Sequence, residues 1–333
     1  MDQSIHFYKK ITMLTIVFFF IFYLAISNGA ALISLDEVIN GILSTDLTHD
    51  ALIIKEVRLP RVLSAILIGA AIGLAGSMIQ GMTRNPLADP GLLGITAGAS
   101  FLLTIGMIIS ASLTFFQLTL FAFFGALIGT VLVIGISLLS KEKLTTFTLL
   151  LVGASVSMFL FALSQGLGLY FNITKNVNMW TAGGLTAVTM DQLKVIAPFI
   201  LISTLITLYY AKDITLLSLD EHLAVSLGQN VFKIKLILMI LIAILTGLSV
   251  ALAGNLAFVG LMIPHLVRKV VGSDYKRMIP AAFLVGGSFM MIADLIARTI
   301  NKPYEVPLIT VVSVIGLPFF LWIVKSQKGG HLS

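Results

Sequence analysis

Between Asp89 and Lys141 the chain carries no charged side chain at all. A run of that length is enough for two membrane crossings, since one helical span needs about 20 mostly apolar residues. The feature is general to the chain. Of 333 residues 58% are hydrophobic and only 11% are charged, and the mean hydropathy is +1.05. Soluble domains keep far more charge on their surfaces. The chain therefore reads as an all-α, polytopic membrane bundle in a single transmembrane domain (1–333). Length gives no reason to divide it further. There is no cysteine, which excludes a disulfide framework and any thiolate-held metal or cluster. The net charge of +6 is that of cytoplasmic loops rich in Lys and Arg, not of a nucleic-acid binder.

Ten segments qualify as spans: 11–33, 62–83, 91–110, 112–139, 147–171, 195–211, 234–254, 256–271, 279–298 and 306–324. The first, preceded by Lys9 and Lys10, is read as an anchor and not a cleaved leader, because the apolar run is long and a small-residue cleavage site is lacking. The eighth is short and broken by Pro264, so nine spans is the alternative. Ten spans put both ends on one face. Fourteen of the 21 Lys and Arg residues then lie on the face of the termini, which places both termini in the cytoplasm. Spans two and seven are rich in small residues, "IGAAIGLAGSMIQG" (68–81) and "GLSVALAGNLAFVG" (247–260). Gly69 and Gly73 form a small-xxx-small pair of the kind that lets helices approach closely.

The loops carry the chemistry. "RNPLADPGLLGI" (84–95) interrupts the apolar sequence with two prolines, which cannot donate backbone hydrogen bonds and bias the preceding residue away from helix. Arg84, Asn85, Pro86, Asp89, Pro90 and Gly91 are expected to form a cytoplasmic turn between spans two and three; a plain inter-span turn and the wall of a cytoplasmic gate are its two readings. In "SLDEHLAVSLG" (218–228) Ser218 is the expected N-cap and Glu221 the capping-box partner, with Asp220 and Glu221 at the positive helix end and Gly228 as the stop. Leu219, Leu223 and Leu227 form an apolar stripe. At about nine residues this helix is about 14 Å long and cannot span. It lies on its own bundle or docks on a partner. On the other face Arg58, Arg61 and Arg298 are either snorkelling interface residues or a docking patch for carboxylates, with Asp294 positioned to pair with Arg298. Asp294 is the one acid expected inside a span. No P-loop, H-E-x-x-H or G-x-S-x-G motif occurs, and His265 reads as a structural hydrogen-bonder. A transporter with neither an ATP site nor a buried ion pathway takes its energy from partners.

Four stretches carry a resemblance: "RLPRVLSAILIGAAIGLAGSMIQGMTRNPLADPGLLGITAGA", "LDEHLAVSLG", "ALAGNLAFVGLMIPHLVR" and "IGLPFFLWIV". In this order, over residues 55–325, the chain resembles the iron-chelate (FecCD-type) permease family of ABC importers, which includes the cobalamin permease. The first 50 residues (anchor helix and outer loop) carry no motif. The resemblance implies ten helices, a second permease subunit (identical or paralogous), two cytoplasmic ATP-binding subunits and an extracytoplasmic substrate-binding protein. It implies no cofactor and no catalytic residue in this chain. Glu221, Ala224 and Gly228 fall at the family's coupling positions, and Arg58, Arg61 and Arg298 where a relative's arginines meet acids of the binding protein. The expected cargo is an iron(III)-siderophore. Haem or cobalamin is the alternative, and an ion-coupled secondary transporter or a polytopic membrane enzyme are the alternatives of other classes.

Overall fold

The computed structural model describes residues 2–28, 52–110, 112–139, 145–302 and 304–329. The end of the first expected span, the outer loop that follows it, and Lys141 and Lys143 lie outside them. Every regular element among the described residues is helical. The helices are α1 (Asp2–Ser27), α2 (Leu59–Thr83), α3 (Ile95–Ile109), α4 (Phe115–Leu139), α5 (Thr146–Tyr170), α6 (Thr174–Thr181), α7 (Met190–Tyr209), α8 (Ala211–Leu219), α9 (Glu221–Ser226), α10 (Val231–Ala253), α11 (Val259–Val271), α12 (Tyr275–Thr299) and α13 (Leu308–Gly329). A π-helical turn (Ile53–Arg58) leads into α2 and a 3-10 turn (Pro90–Leu93) precedes α3.

Among the described residues seven helices are long and apolar enough to cross a membrane: α1, α2, α4, α5, α7, α10 and α12. Two shorter apolar helices, α3 and the first turns of α13, add to them. With α11, whose 13 residues rise about 20 Å, these ten match the ten expected segments one for one. The short eighth segment has a local cause. α10 ends at Ala253, residues 254–257 are unwound, and α11 restarts at Val259 from Phe258, which is held in the left-handed region at φ +69°.

The two helices rich in small residues, α2 and α10, form the centre. In α2 89% of the apolar window is buried within the chain and in α10 78%, against half or less in the other five long helices. A helix with that much protein around it cannot use bulky side chains on every face, and glycine solves the packing. A Cβ on Gly69 would fall on the Gly286 carbonyl of α12, and one on Gly76 would fall on the Gly260 carbonyl of α11. Backbones thus touch along α2 in the manner that drives helix association in lipid. The helices around this core leave apolar side chains exposed, such as Phe159 and Leu205.

The bundle has two distinguishable ends. Lys10 in the first turns of α1 donates through Nζ to the Val270 carbonyl at the end of α11, 2.7 Å. Tyr275, at the start of α12, donates its N–H to Thr215 of α8 and its hydroxyl to the Ser77 carbonyl of α2. The N-terminus, α8 and α9 therefore share one end. The end of α1, the start of α2 and the end of α12 meet at the other.

Candidate functional site

At the end shared with the N-terminus, the 212–235 loop folds as two short helices, not one. The break is at Asp220, which is extended (φ −159°, ψ 140°) and caps α9 by accepting from the Leu223 N–H at 3.0 Å. That backbone N–H holds the Asp220 carboxyl below its ordinary range. The expected cap, Ser218, instead lies inside α8 and donates to the Thr215 carbonyl, 2.7 Å. Glu221 does not complete a capping box: it is the first residue of α9 and pairs with Lys235 of α10 at 2.8 Å. With Asp220 extended as the break, Glu221 opens α9 within reach of that lysine. The shortened helix ends as expected. Gly228 stands at φ +83°, its N–H donates to the Val225 carbonyl, and Gln229 N–H donates to the Ala224 carbonyl. That pair of bonds is the Schellman pattern, which favours glycine at this position.

One side of α9 is fixed and the other is free. Ala224 is fully buried, whereas Leu223, Val225 and Leu227 are exposed, as is Leu219 at the end of α8. The expected leucine stripe therefore spans two helices and faces outward. Arg84, the left-handed C-cap of α2 (φ 51°), meets Asp220 at 3.3 Å and ties the end of α2 to this platform.

The turn that follows Arg84 is folded into the bundle. Asn85 accepts from the Leu87 N–H and Asp89 from the Gly91 N–H, two side-chain-to-backbone turns typical of these residues. Pro86 is half-buried at the surface end of the turn, while Ala88, Pro90 and Leu93 are buried. Pro90 and Asp89 reach Gly260 at the start of α11, and the Leu92 carbonyl lies against Gly153 of α5. Gly260 itself touches Gly76, about 10 Å along α2 from its end. Asp89 is thus a second acid inside the bundle besides Asp294. Sequence reasoning placed it in a surface turn because a polar, proline-bearing segment normally stays in water.

At the opposite end the three arginines come together, but not as an exposed patch. Arg58, Arg61 and Arg298 are 5%, 5% and 7% exposed. Arg58 donates to the carbonyls of Ile26 and Ser27, at 2.9 and 3.0 Å, and Arg298 donates to that of Ala25. Both satisfy the terminal carbonyls of α1, where positive charge is favoured. Arg61 grips Asp294 at 2.8 Å and Glu305 at 2.7 Å, and Asp294 also meets Arg298 at 3.4 Å. Thr186 donates to Glu305 as well. The Arg61 hydrogen bond holds the Glu305 carboxyl below its ordinary range. These guanidiniums lock α1, α2, α12 and the loop before α13 together, because a guanidinium inside a bundle must spend its donors on carbonyls and carboxylates. Sequence reasoning paired Asp294 with Arg298 and missed Glu305; an acid just before the last span opposite an arginine before the second was the available signal.

No group of three or more His, Asp or Glu side chains among the described residues could hold a metal ion. His265 packs edge-on against Phe319 and Trp322.

The fold is that of a polytopic membrane bundle with a short, outward-facing amphipathic helix at one end. The chain belongs to the FecCD transport family, whose model matches residues 15–326. It is 39% identical to the iron-uptake system permease protein FeuB of Bacillus subtilis, over 92% of each chain. It is 33% identical to the ferric enterobactin transport system permease protein FepD of Escherichia coli, again over 92% of each. The hemin transport system permease protein HmuU of Yersinia pestis is 36% identical over 84% of this chain and 86% of its own. Among solved structures, the fold matches an inward-facing conformation of a metal-chelate type ABC transporter with a TM-score of 0.85 and 27% identity, over 96% of this chain and 99% of that one.

Proposed function

We propose that the chain is the transmembrane permease subunit of an ABC importer that carries an iron(III)-siderophore across the cytoplasmic membrane. The observation that carries this is the end-to-end similarity to iron-uptake permeases, 39% identical over 92% of the chain in one case. The energy comes from two ATP-binding subunits in the cytoplasm, and a second permease subunit completes the path. Both termini are cytoplasmic, which puts α8 and α9 on the ATPase side. There Leu219, Leu223 and Leu227 offer an apolar contact, while Glu221–Lys235 and Arg84–Asp220 transmit movement of α9 to α10 and α2.

An extracytoplasmic binding protein delivers the chelate to the other face. The buried arginines support that surface by fixing the end of α1 and the loop before α13. Glu305, half exposed above Arg61, is the acid of this cluster within reach of a docking protein.

The test is transport in proteoliposomes with the chain, its second permease subunit, its cognate ATPase and its binding protein. Uptake of ferric siderophore should require ATP and the binding protein, and haem should not compete. Uptake by the chain alone under an ion gradient would refute the reading in favour of a secondary transporter. Competition by haem in place of ferric siderophore would move the cargo to the haem-importing relatives.

A further inference from the structure

At the end of the bundle that holds the N-terminus, a cavity of about 210 Å³ opens between the ends of α2, α8 and α11 and the start of α12. Its charged lining is Arg84 and Arg268, with Ser218, Ser273 and Leu219 beside them. No carboxylate of the described residues lines it.

The two arginines are spent differently from those at the opposite end. Arg58 and Arg298 turn inward and donate to the terminal carbonyls of α1. Arg84 and Arg268 also stand at helix C-termini, where positive charge is favoured, but neither donates to a helix carbonyl. Among the described residues Arg84 makes one hydrogen bond, to Asp220 at 3.3 Å. That is long against the roughly 2.7–2.9 Å of a firm charge-assisted bond, and most donors of the guanidinium remain for another acceptor. Arg268 lies against the Tyr275 hydroxyl and has no ion pair among the described residues. The nearby acid Asp274 is occupied: it caps α12 through the Lys276 N–H and faces Arg277. The Arg84 side chain is 42% exposed and Arg268 is half-buried, so a group from outside reaches both.

We propose that this cavity is a socket for a carboxylate side chain of the ATPase subunit, a second contact beside the apolar stripe of α8 and α9. It rests on the reading that seats the ATPase on this face. Two guanidiniums with no acid between them match a carboxylate, which arginine grips in a fork. Leu219 belongs both to the cavity wall and to the stripe, so a subunit seated on the stripe covers the mouth. Liquid water occupies about 30 Å³ per molecule, and the space takes an acidic side chain together with a few waters. α2 is the most enclosed of the long spans, so its end opens in the middle of this face, away from lipid headgroups. A docked acid ties α2 to α11 at this end, as Gly76 and Gly260 join them deeper in the bundle.

The test measures the affinity of the cognate ATPase for the full-length chain, paired with its second permease subunit in nanodiscs. Arg268→Glu should weaken binding about thirtyfold or more, as expected for losing one side of a desolvated charge pair, and make it less sensitive to salt. Arg268 pairs with no carboxylate of the described residues, so its reversal strands none of them and the melting temperature without ATPase should hold. Ser273→Asp is the second variant. Ser273 is exposed and makes no hydrogen bond among the described residues, and an aspartate there fills the socket from within, so ATPase binding should weaken again. Leu223→Asp, on the apolar stripe, is the control for the underlying reading. Binding weakened by Leu223→Asp but unchanged in Arg268→Glu and Ser273→Asp overturns the socket alone. Binding unchanged in all three overturns the seating of the ATPase on this face as well. Inorganic phosphate, added to the complex without ATPase, should leave the melting temperature unchanged; a saturable rise that Arg268→Glu abolishes would make the cavity a free-anion site and overturn the proposal.

Discussion

Replacing Arg61 with methionine should destabilise the chain by about 3 kcal/mol. Arg61 and Asp294 are 6% and 3% exposed in their side chains and meet at 2.8 Å. Removing one partner of a buried pair costs about 3–5 kcal/mol, because the other charge is stranded. The lower end applies here, since Asp294 keeps Arg298 at 3.4 Å. Glu305 supplies the control. Its side chain is 39% exposed, water can replace its contact, and Glu305→Gln should cost about 1 kcal/mol or less. Asp294→Leu alone leaves Arg61 with Glu305 and Arg298 with the Ala25 carbonyl and should also be costly, but the double change Arg61→Met with Asp294→Leu should cost less than the sum by about 2 kcal/mol. The assay is reversible unfolding in mixed micelles, followed through Trp180 and Trp322. A cost below about 1 kcal/mol for Arg61→Met, or one no larger than that of Glu305→Gln, would show that the cluster does not lock the helix ends.

Glu305 has its carboxyl held below the ordinary 4.5 by Arg61. Its folded pKa is lowered, so its contribution is complete above pH 4.5 and lost as pH falls through the lowered value; the acid-induced drop in melting temperature should be smaller in Glu305→Gln. Gly76→Ala sets a Cβ on the Gly260 backbone and should abolish folded protein in the membrane, whereas Gly135→Ala meets nothing within 4 Å and should express normally; equal expression of the two would refute backbone contact along α2. Gly228→Val strains a left-handed position by about 1–2 kcal/mol with open space around it, so the chain should assemble while uptake fails, and uptake at the wild-type rate would remove Gly228 from coupling. A cysteine at exposed Leu223 should cross-link to the ATPase and one at buried Ala224 should not; the reverse pattern would mean that α9 presents its other side.

The sequence by itself determined the class, the ten spans (with nine as the alternative) and where most of them end. Each of those follows from local physics: about 20 apolar residues, a proline that ends a ladder, a glycine at a left-handed stop. Gly228 was legible because a helix stop needs only its own backbone. The small residues of the second and seventh spans were legible as packing positions, though not as the centre of the bundle. What the tertiary structure decided is where polar groups went. Ser218 and Asp220 are two residues apart and both cap helices well; in the fold Asp220 is the cap, with Arg84 of α2 on its carboxylate and Lys235 of α10 on the next residue. The three arginines read as a surface patch because they sit at helix ends, but α1 and the loop before α13 fold over them and take their donors. Asp89 looked like part of a wet turn until the chain folded it against Gly260, where Gly76 leaves room. Side-chain pairing across hundreds of residues has no local signature. A charge is exposed or buried according to which helix arrives beside it.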